Sequence, residues 1–153
     1  MKIGTILFTL AAVFAAVVVC FAADVNMGTW KLNNVKSQNV SDENNFTMVI
    51  AAAGDSVKIS EDGIDEKGKP WHDEWTGKFD GKDYPVTGDP DTDTRSYKPV
   101  NDHTLALTAK KGGRIVETGR VVYSADGKTR TVTETVAKAT GLKTRVTEVF
   151  DKQ

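Results

Sequence analysis

The sequence predicts an all-β chain, an antiparallel up-and-down meander of eight to ten strands closed into a barrel. Three observations carry this. Turn-forming pairs recur along the chain at Gly54-Asp55, Asp62-Gly63, Lys67-Gly68, Asp80-Gly81, Asn101-Asp102, Gly112-Gly113, Asp126-Gly127 and Thr140-Gly141. The segments between them are rich in Thr, Val, Ile and aromatic residues, which suit a pleated, half-buried surface. No segment repeats apolar residues at helical spacing.

The first element is not part of that barrel. Of 153 residues, 39% are apolar, and residues 1–22 hold 18 of them. Lys2 precedes an apolar run from Ile3 to Phe21, and Cys20 and Ala22 are small residues at −3 and −1 of a cleavage point before Ala23. This is the pattern of a secretory signal peptide. An uncleaved anchor and lipid attachment at Cys20 compete with it. The lipidation reading lacks its usual flanks, since Val17 and Val19 occupy them. The expectation is therefore a secreted or periplasmic domain of residues 23–153, with no stable membrane span after cleavage. Without Lys2 the mature chain has 19 basic and 21 acidic residues, a net charge of −2, and no basic block. Nucleic acid is thus not an expected partner. Cys20 is the single cysteine, so the mature domain has no disulfide or thiolate metal site and must be held by its own core.

The expected strands are 28–34, 45–53, 56–62, 70–79, 82–86, 94–100, 103–111, 114–125, 128–138 and 143–151. Alternation supports several. Phe46, Met48, Ile50 and Ala52 share a face, as do Trp71, Trp75 and Phe79, with His72, Glu74, Thr76 and Lys78 opposite. In the last strand Thr144, Val146, Glu148 and Phe150 lie together. Residues 33–44 and 87–94 read as irregular. Closure into a barrel removes the open edges of so many strands. A two-sheet sandwich competes, but it needs longer crossover connections than the chain offers.

The opening Gly28-Thr29-Trp30-Lys31-Leu32 resembles the Gly-x-Trp start of lipocalins and of intracellular fatty-acid-binding proteins. That resemblance implies that Trp30 plugs the base of the barrel, and that a basic residue on the last strand, Arg145, packs across it. Gly28, Trp30 and Arg145 would then close first strand on last. The lipocalin Thr-Asp-Tyr motif is absent, and Thr147 stands where the fatty-acid-binding Arg-x-Tyr pair would place its tyrosine. The chain is also similar to a set of small exported bacterial proteins. The shared stretches are residues 28–33 with Lys36-Ser37, residues 75–88, the Asp126-Gly127-Lys128-Thr129 turn and the ending Val149-Phe150-Asp151-Lys152-Gln153. That family brings no established activity.

Chemistry-bearing motifs are few. His72 and Glu74 sit at i and i+2 on one strand face, which suits a metal or an acid–base pair, but a solvated strand surface is the plainer reading. Asp89-Pro90-Asp91-Thr92-Asp93 resembles the start of a calcium loop, but Thr94 and Val100 stand where an EF-hand needs Gly and Glu. Glu74, Glu117, Glu134 and Glu148 could pair across strands, but on a barrel such carboxylates more often face solvent or lysines, and their spacing gives no catalytic pair. No nucleophile or phosphate-loop motif is present, so the chain reads as a non-enzyme without cofactor or metal. The aromatic residues would line either a filled core or a cup. The expected function is binding of a small apolar or amphipathic ligand by a monomer, with Trp71, Trp75, Tyr84, Tyr97 and Arg120 as ligand residues. Arg120 and Arg145, if inward, would anchor a polar group. The alternative is a structural or interaction barrel with a filled core.

Overall fold

The computed structural model describes residues 23–40, 44–65, 67–137 and 141–153. The expected signal peptide and Cys20 lie outside the described residues. One helical turn, α1 (Ala23–Asn26), leads into ten strands: β1 (Gly28–Leu32), β2 (Asn44–Ala53), β3 (Ser56–Ile64), β4 (Pro70–Gly77), β5 (Tyr84–Thr87), β6 (Thr94–Asn101), β7 (Thr104–Lys111), β8 (Arg114–Tyr123), β9 (Thr129–Ala137) and β10 (Lys143–Lys152). Each strand pairs antiparallel with its sequence neighbour, and β1 also pairs with β10, so the sheet closes with no crossover. This is the expected meander at the upper end of its strand range, and it overturns the sandwich alternative.

Three strands end two residues earlier than expected, each for a local reason. β1 stops at Leu32 because Asn33 starts a turn. Its side-chain oxygen accepts from the amides of Val35 (3.1 Å) and Lys36 (3.2 Å). β4 stops at Gly77, and the chain then bends through Gly81 at φ +79°. β8 ends at Tyr123 because Ser124 accepts the amide of Gly127 on its carbonyl and that of Thr129 on its hydroxyl, both at 2.9 Å.

β1 is short, and the turn after it reinforces its junction with β10. The register pairs Trp30 with Lys152 and Leu32 with Phe150, and Gln38 then bridges to Thr147. Asn33 donates to the Asp151 carboxylate at 2.7 Å, Lys36 pairs with the same carboxylate at 2.9 Å, and the Ser37 hydroxyl accepts the Val149 amide at 3.0 Å. The Lys36-Ser37 pair noted in the sequence thus serves closure.

Alternation decides the interior. Phe46, Met48 and Ile50 of β2, Ile59 of β3, Trp75 of β4, Leu105 and Leu107 of β7 and Phe150 of β10 point inward and are buried. The end carrying α1 and the β2–β3, β6–β7 and β8–β9 hairpins is plugged. Trp30 is fully buried there, edge-on to Tyr123 with ring centroids 5.6 Å apart, and its indole N–H donates to the Asn26 carbonyl at 3.2 Å. Its cationic cover is the Lys152 ammonium, 5.1 Å from the ring centroid.

The expectation that Arg145 covers Trp30 is therefore corrected. Arg145 is exposed and pairs with Thr135, seven residues or about 23 Å along β10 from Lys152. It also has the opposite parity, so its side chain leaves the barrel. Gly28 (φ +124°) lies beneath Lys152, where a Cβ would stand 2.9 Å from Lys152 Cε.

Trp30→Ala should cost about 3–5 kcal/mol, as for truncation of a large buried aromatic. Urea unfolding checks this, and an unchanged midpoint would show that the plug does not hold the barrel.

Candidate functional site

The opposite end is open. A cavity of about 420 Å³ enters the barrel where the β3–β4 and β5–β6 connections lie, and Asp65, Pro90 and Asp91 stand at its rim. This exceeds the roughly 300 Å³ at which ligand pockets begin. Phe46, Met48, Trp71, Tyr97, Leu107 and Val132 supply its apolar wall. The remaining lining is ionisable to a degree the sequence did not suggest, with eight carboxyl groups and two guanidiniums.

Arg95 of β6 ties one side together. Its Nη1 donates to Glu61 Oε2 of β3 at 2.8 Å, and its Nη2 to Asp73 Oδ2 of β4 at 2.9 Å and Asp89 Oδ2 at 3.0 Å. Glu61 and Asp73 are opposite one another in the β3–β4 register, both facing inward and both buried. One guanidinium cannot neutralise three carboxylates in a desolvated site. Burial and then the charge of Glu61 push Asp73 up to about 8. Burial is the largest influence on Glu61 and opposes its ionisation, but the Arg95 charge, the hydrogen bonds from Asp73 and Arg95 and the charge of Arg130 together outweigh it and hold Glu61 below its usual range. Asp89 is held low despite burial by the Thr92 hydroxyl (2.6 Å), the Asp91 amide (2.7 Å) and Arg95.

A second group spans β8, β9 and β10. Glu134 is opposite Gly119 on one side and Val146 on the other, so Glu117 and Glu148 are its diagonal neighbours. Burial, then the charges of Glu117 and Glu148, push Glu134 up to about 10. Deeper on the same face of β9 lies Arg130, only 2% exposed, with its guanidinium 5.3 Å from the Phe150 ring centroid. Its Nε donates to the Tyr123 hydroxyl at a long 3.4 Å, and its Nη1 has no partner. Asp73 Oδ1 meets no N–H donor, and the protonated Asp73 carboxyl hydrogen-bonds Glu61 instead.

The structure brings together two of the five expected ligand residues. Trp71 is half-buried and Tyr97 is buried, and both line the cavity. Trp71 sits edge-on to Phe46 with centroids 5.1 Å apart and lies flat over Gly63, where a Cβ would meet its Cζ2 at 2.5 Å. Trp75 instead lies in the sealed half of the core, donating to the Arg95 carbonyl at 3.0 Å. Tyr84 packs edge-on to Trp75 and donates its hydroxyl to Asp80 at 3.1 Å, outside the cavity lining.

Arg120 is corrected, because Glu117, Gly119, Val121 and Tyr123 point inward on β8 and Arg120 is exposed on the outer face. The inward guanidiniums are Arg95 and Arg130. Glu117, Glu134 and Glu148 likewise do not face solvent but line the cavity. Parity could have found them, since Glu134 alternates with Val132 and Arg130, and Glu148 with Phe150.

The other motifs resolve into surface structure. His72 is exposed, with Nδ1 2.8 Å from Asp62 Oδ1 and Nε2 3.4 Å from Glu74 Oε1, and the hydrogen bond to Asp62 raises its pKa. The calcium-like loop does not converge. Asp89 turns in to Arg95, while Asp93 binds Lys111 and the Gly112 amide, each at 2.7 Å. Among the described residues no three or more His, Cys, Asp or Glu groups are placed to hold a metal.

No family model matches the sequence, and no curated protein matches it. Among solved structures, the chain is similar to a redesigned β-barrel, at 13% identity and TM-score 0.52 over 88% of this chain and 97% of that one. The likeness shows the fold alone. A redesigned barrel bound to DFHBI matches at 18% identity and TM-score 0.49, over 86% of this chain and 99% of that one. Lobster apocrustacyanin A1 matches at 14% identity and TM-score 0.44, over 85% of this chain and 62% of that one. The architecture is the closed up-and-down barrel that the lipocalin resemblance implies.

Two outcomes follow from the buried charges. The folded chain keeps protons on Asp73 and Glu134 that the unfolded chain releases near 3.8 and 4.5. Their stabilisation is therefore complete at low pH and is lost as pH rises through about 8 and towards about 10. Each group steepens the fall by about 1.4 kcal/mol per pH unit while it stays protonated. Urea unfolding at pH 5 and pH 9 should show lower stability at the higher pH, and Glu134→Gln should flatten the difference. Equal stability at both would refute the assignment. Arg95→Met should cost about 3–5 kcal/mol by leaving buried carboxylates unpaired. The cost should be larger at pH 8 than at pH 5 in the same melts.

Proposed function

We propose that the chain is an exported, non-catalytic carrier that holds one small amphipathic molecule in the open half of its barrel. The observation that carries this is the 420 Å³ cavity with an aromatic wall and a buried Arg130 guanidinium that has bonding capacity left. A filled structural barrel would present neither. Of the two ligand classes the sequence suggested, the amphipathic one fits. A wholly apolar molecule would strip water from the carboxyl groups and guanidiniums without replacing the hydrogen bonds, at a cost of about 1–3 kcal/mol for each group left unpaired. Binding is favoured over catalysis because Arg95 already engages Glu61, Asp73 and Asp89. Export rests on the Lys2 and Ile3–Phe21 leader pattern.

The test uses N-phenyl-1-naphthylamine, a neutral fluorophore that brightens in apolar surroundings. Saturable binding at one site is expected. Trp71→Ala should weaken it about fivefold, the equivalent of about 1 kcal/mol of aromatic contact, and should barely move the urea midpoint. Gly63→Ala should weaken it as well by displacing the indole rather than removing it. Absence of saturable binding would sink the carrier reading.

A further inference from the structure

We propose that the ligand is an amphipathic cation, a protonated amine on an apolar body that also carries a neutral hydrogen-bond acceptor. This rests on the carrier reading and names its ligand class. The charge balance of the cavity sets the sign. Arg95 is engaged by Glu61, Asp73 and Asp89. Glu117, Glu134 and Glu148 lie on three adjacent strands, with Glu134 hydrogen-bonded to Glu117 and diagonal to both others at about 7–8 Å. The groups that act on Glu134 are Glu117 from β8, Glu148 from β10 and, with opposite sign, Arg95 from β6. The proton on Glu134 therefore stands where a ligand's positive charge would be welcome.

The second observation is independent of that cluster. Arg130 is 2% exposed, lines the same cavity, and its Nη1 has no hydrogen-bond partner among the described residues. Native interiors rarely leave such atoms unpaired. Arg130 needs an acceptor. A carboxylate would serve it, but only by entering a cavity already in excess of negative charge. A hydroxyl or carbonyl oxygen serves it without that repulsion.

Arg130 and Glu134 lie on one face of β9, four residues and about 13 Å apart, with Val132 between them. A medium-length aliphatic chain with an acceptor at its deep end and an amine at its outer end matches that spacing. An amine nitrogen entering the cluster replaces the Glu134 proton, which leaves to solvent, so charge in the cavity is conserved on binding.

Isothermal titration at pH 7 with decylamine, aminodecanol, decanol and decanoic acid separates the readings. The two amines should bind at least about tenfold tighter than decanoate, about 1.4 kcal/mol. Aminodecanol should bind tighter than decylamine. Amine binding should release protons, seen as heat that varies with the ionisation enthalpy of the buffer. Glu134→Gln, a near-isosteric neutral variant, should abolish the proton release. Glu117→Gln combined with Glu134→Gln should bring amine affinity down to that of decanol and leave decanol binding unchanged.

Decanoate binding as tightly as the amines would overturn the proposal. So would amine binding without proton release in the unaltered protein, a measurement that does not depend on any variant folding. If decanol binds and the amines gain nothing over it, the carrier reading stands and the cationic ligand falls. If none of the four binds, both fall.

Discussion

The junction of β1 with β10 is the constraint on which the rest depends. A ten-strand meander with free ends would expose two edges and could flatten or splay. Here five residues of β1 close it, and so short a strand needs help. The help comes from both sides of the seam. Inside, Trp30 and Phe150 are fully buried, and Lys152 lies over the indole. Outside, the turn at Asn33 lays Lys36, Ser37 and Gln38 along β10 and extends the contact beyond the last residue of β1. The hairpin turns and buried faces set the register of the other strands, and the parity of each strand decides which side chains the closed barrel encloses.

That parity encloses charge. Glu61, Asp73, Arg95, Arg130 and Glu134 occupy positions where an apolar residue would pack and stabilise more. Buried ion pairs are weak sources of stability, and three carboxylates on one guanidinium are weaker still. Their arrangement at one end, above an apolar half built on Trp30, Trp75, Ile50 and Ile59, suits a division of labour. The sealed half supplies the burial that offsets desolvation in the open half. Local departures from core rules are expected at functional sites and are compensated elsewhere in the molecule.

The strands were legible in the sequence because turn pairs and alternation are local signals. All ten were placed within two residues at every end, and Trp30 lies at the plugged end as the resemblance implied. The site was legible only in part. Charged residues at inward parity look identical to charged residues on a solvated face until the apolar members of the strand fix which face is inside. On β4, Asp73 lies between Trp71 and Trp75, and on β10, Glu148 precedes Phe150 by two, so the information was present there. On β8, the adjacent Val121 and Val122 put an apolar residue on each face, so parity was ambiguous and Arg120 was misplaced. Arg145 was misplaced for a different reason. The resemblance supplied a basic residue on the last strand but not the register, and Lys152 is the cation that the pairing brings to Trp30.

The interior is graded with depth. Trp30 and Trp75 lie in the plugged half, where Trp75 donates to a backbone carbonyl and adds no charge. Next come Arg130 against Phe150 and Tyr123, then Arg95 with its carboxylates, and finally the glutamates and the rim aspartates Asp65 and Asp91. Water reaches the rim and not the floor, so a charge costs less to hold the nearer it lies to the rim. A molecule entering this gradient is driven to place its charged end outward and its neutral end inward, whatever its detailed structure. The same gradient explains why Arg130 can be held with so few partners. Its charge is deep, but the Tyr123 hydroxyl accepts from its Nε, the Glu61 carboxylate adds a favourable field, and the aromatic face of Phe150 lies against it.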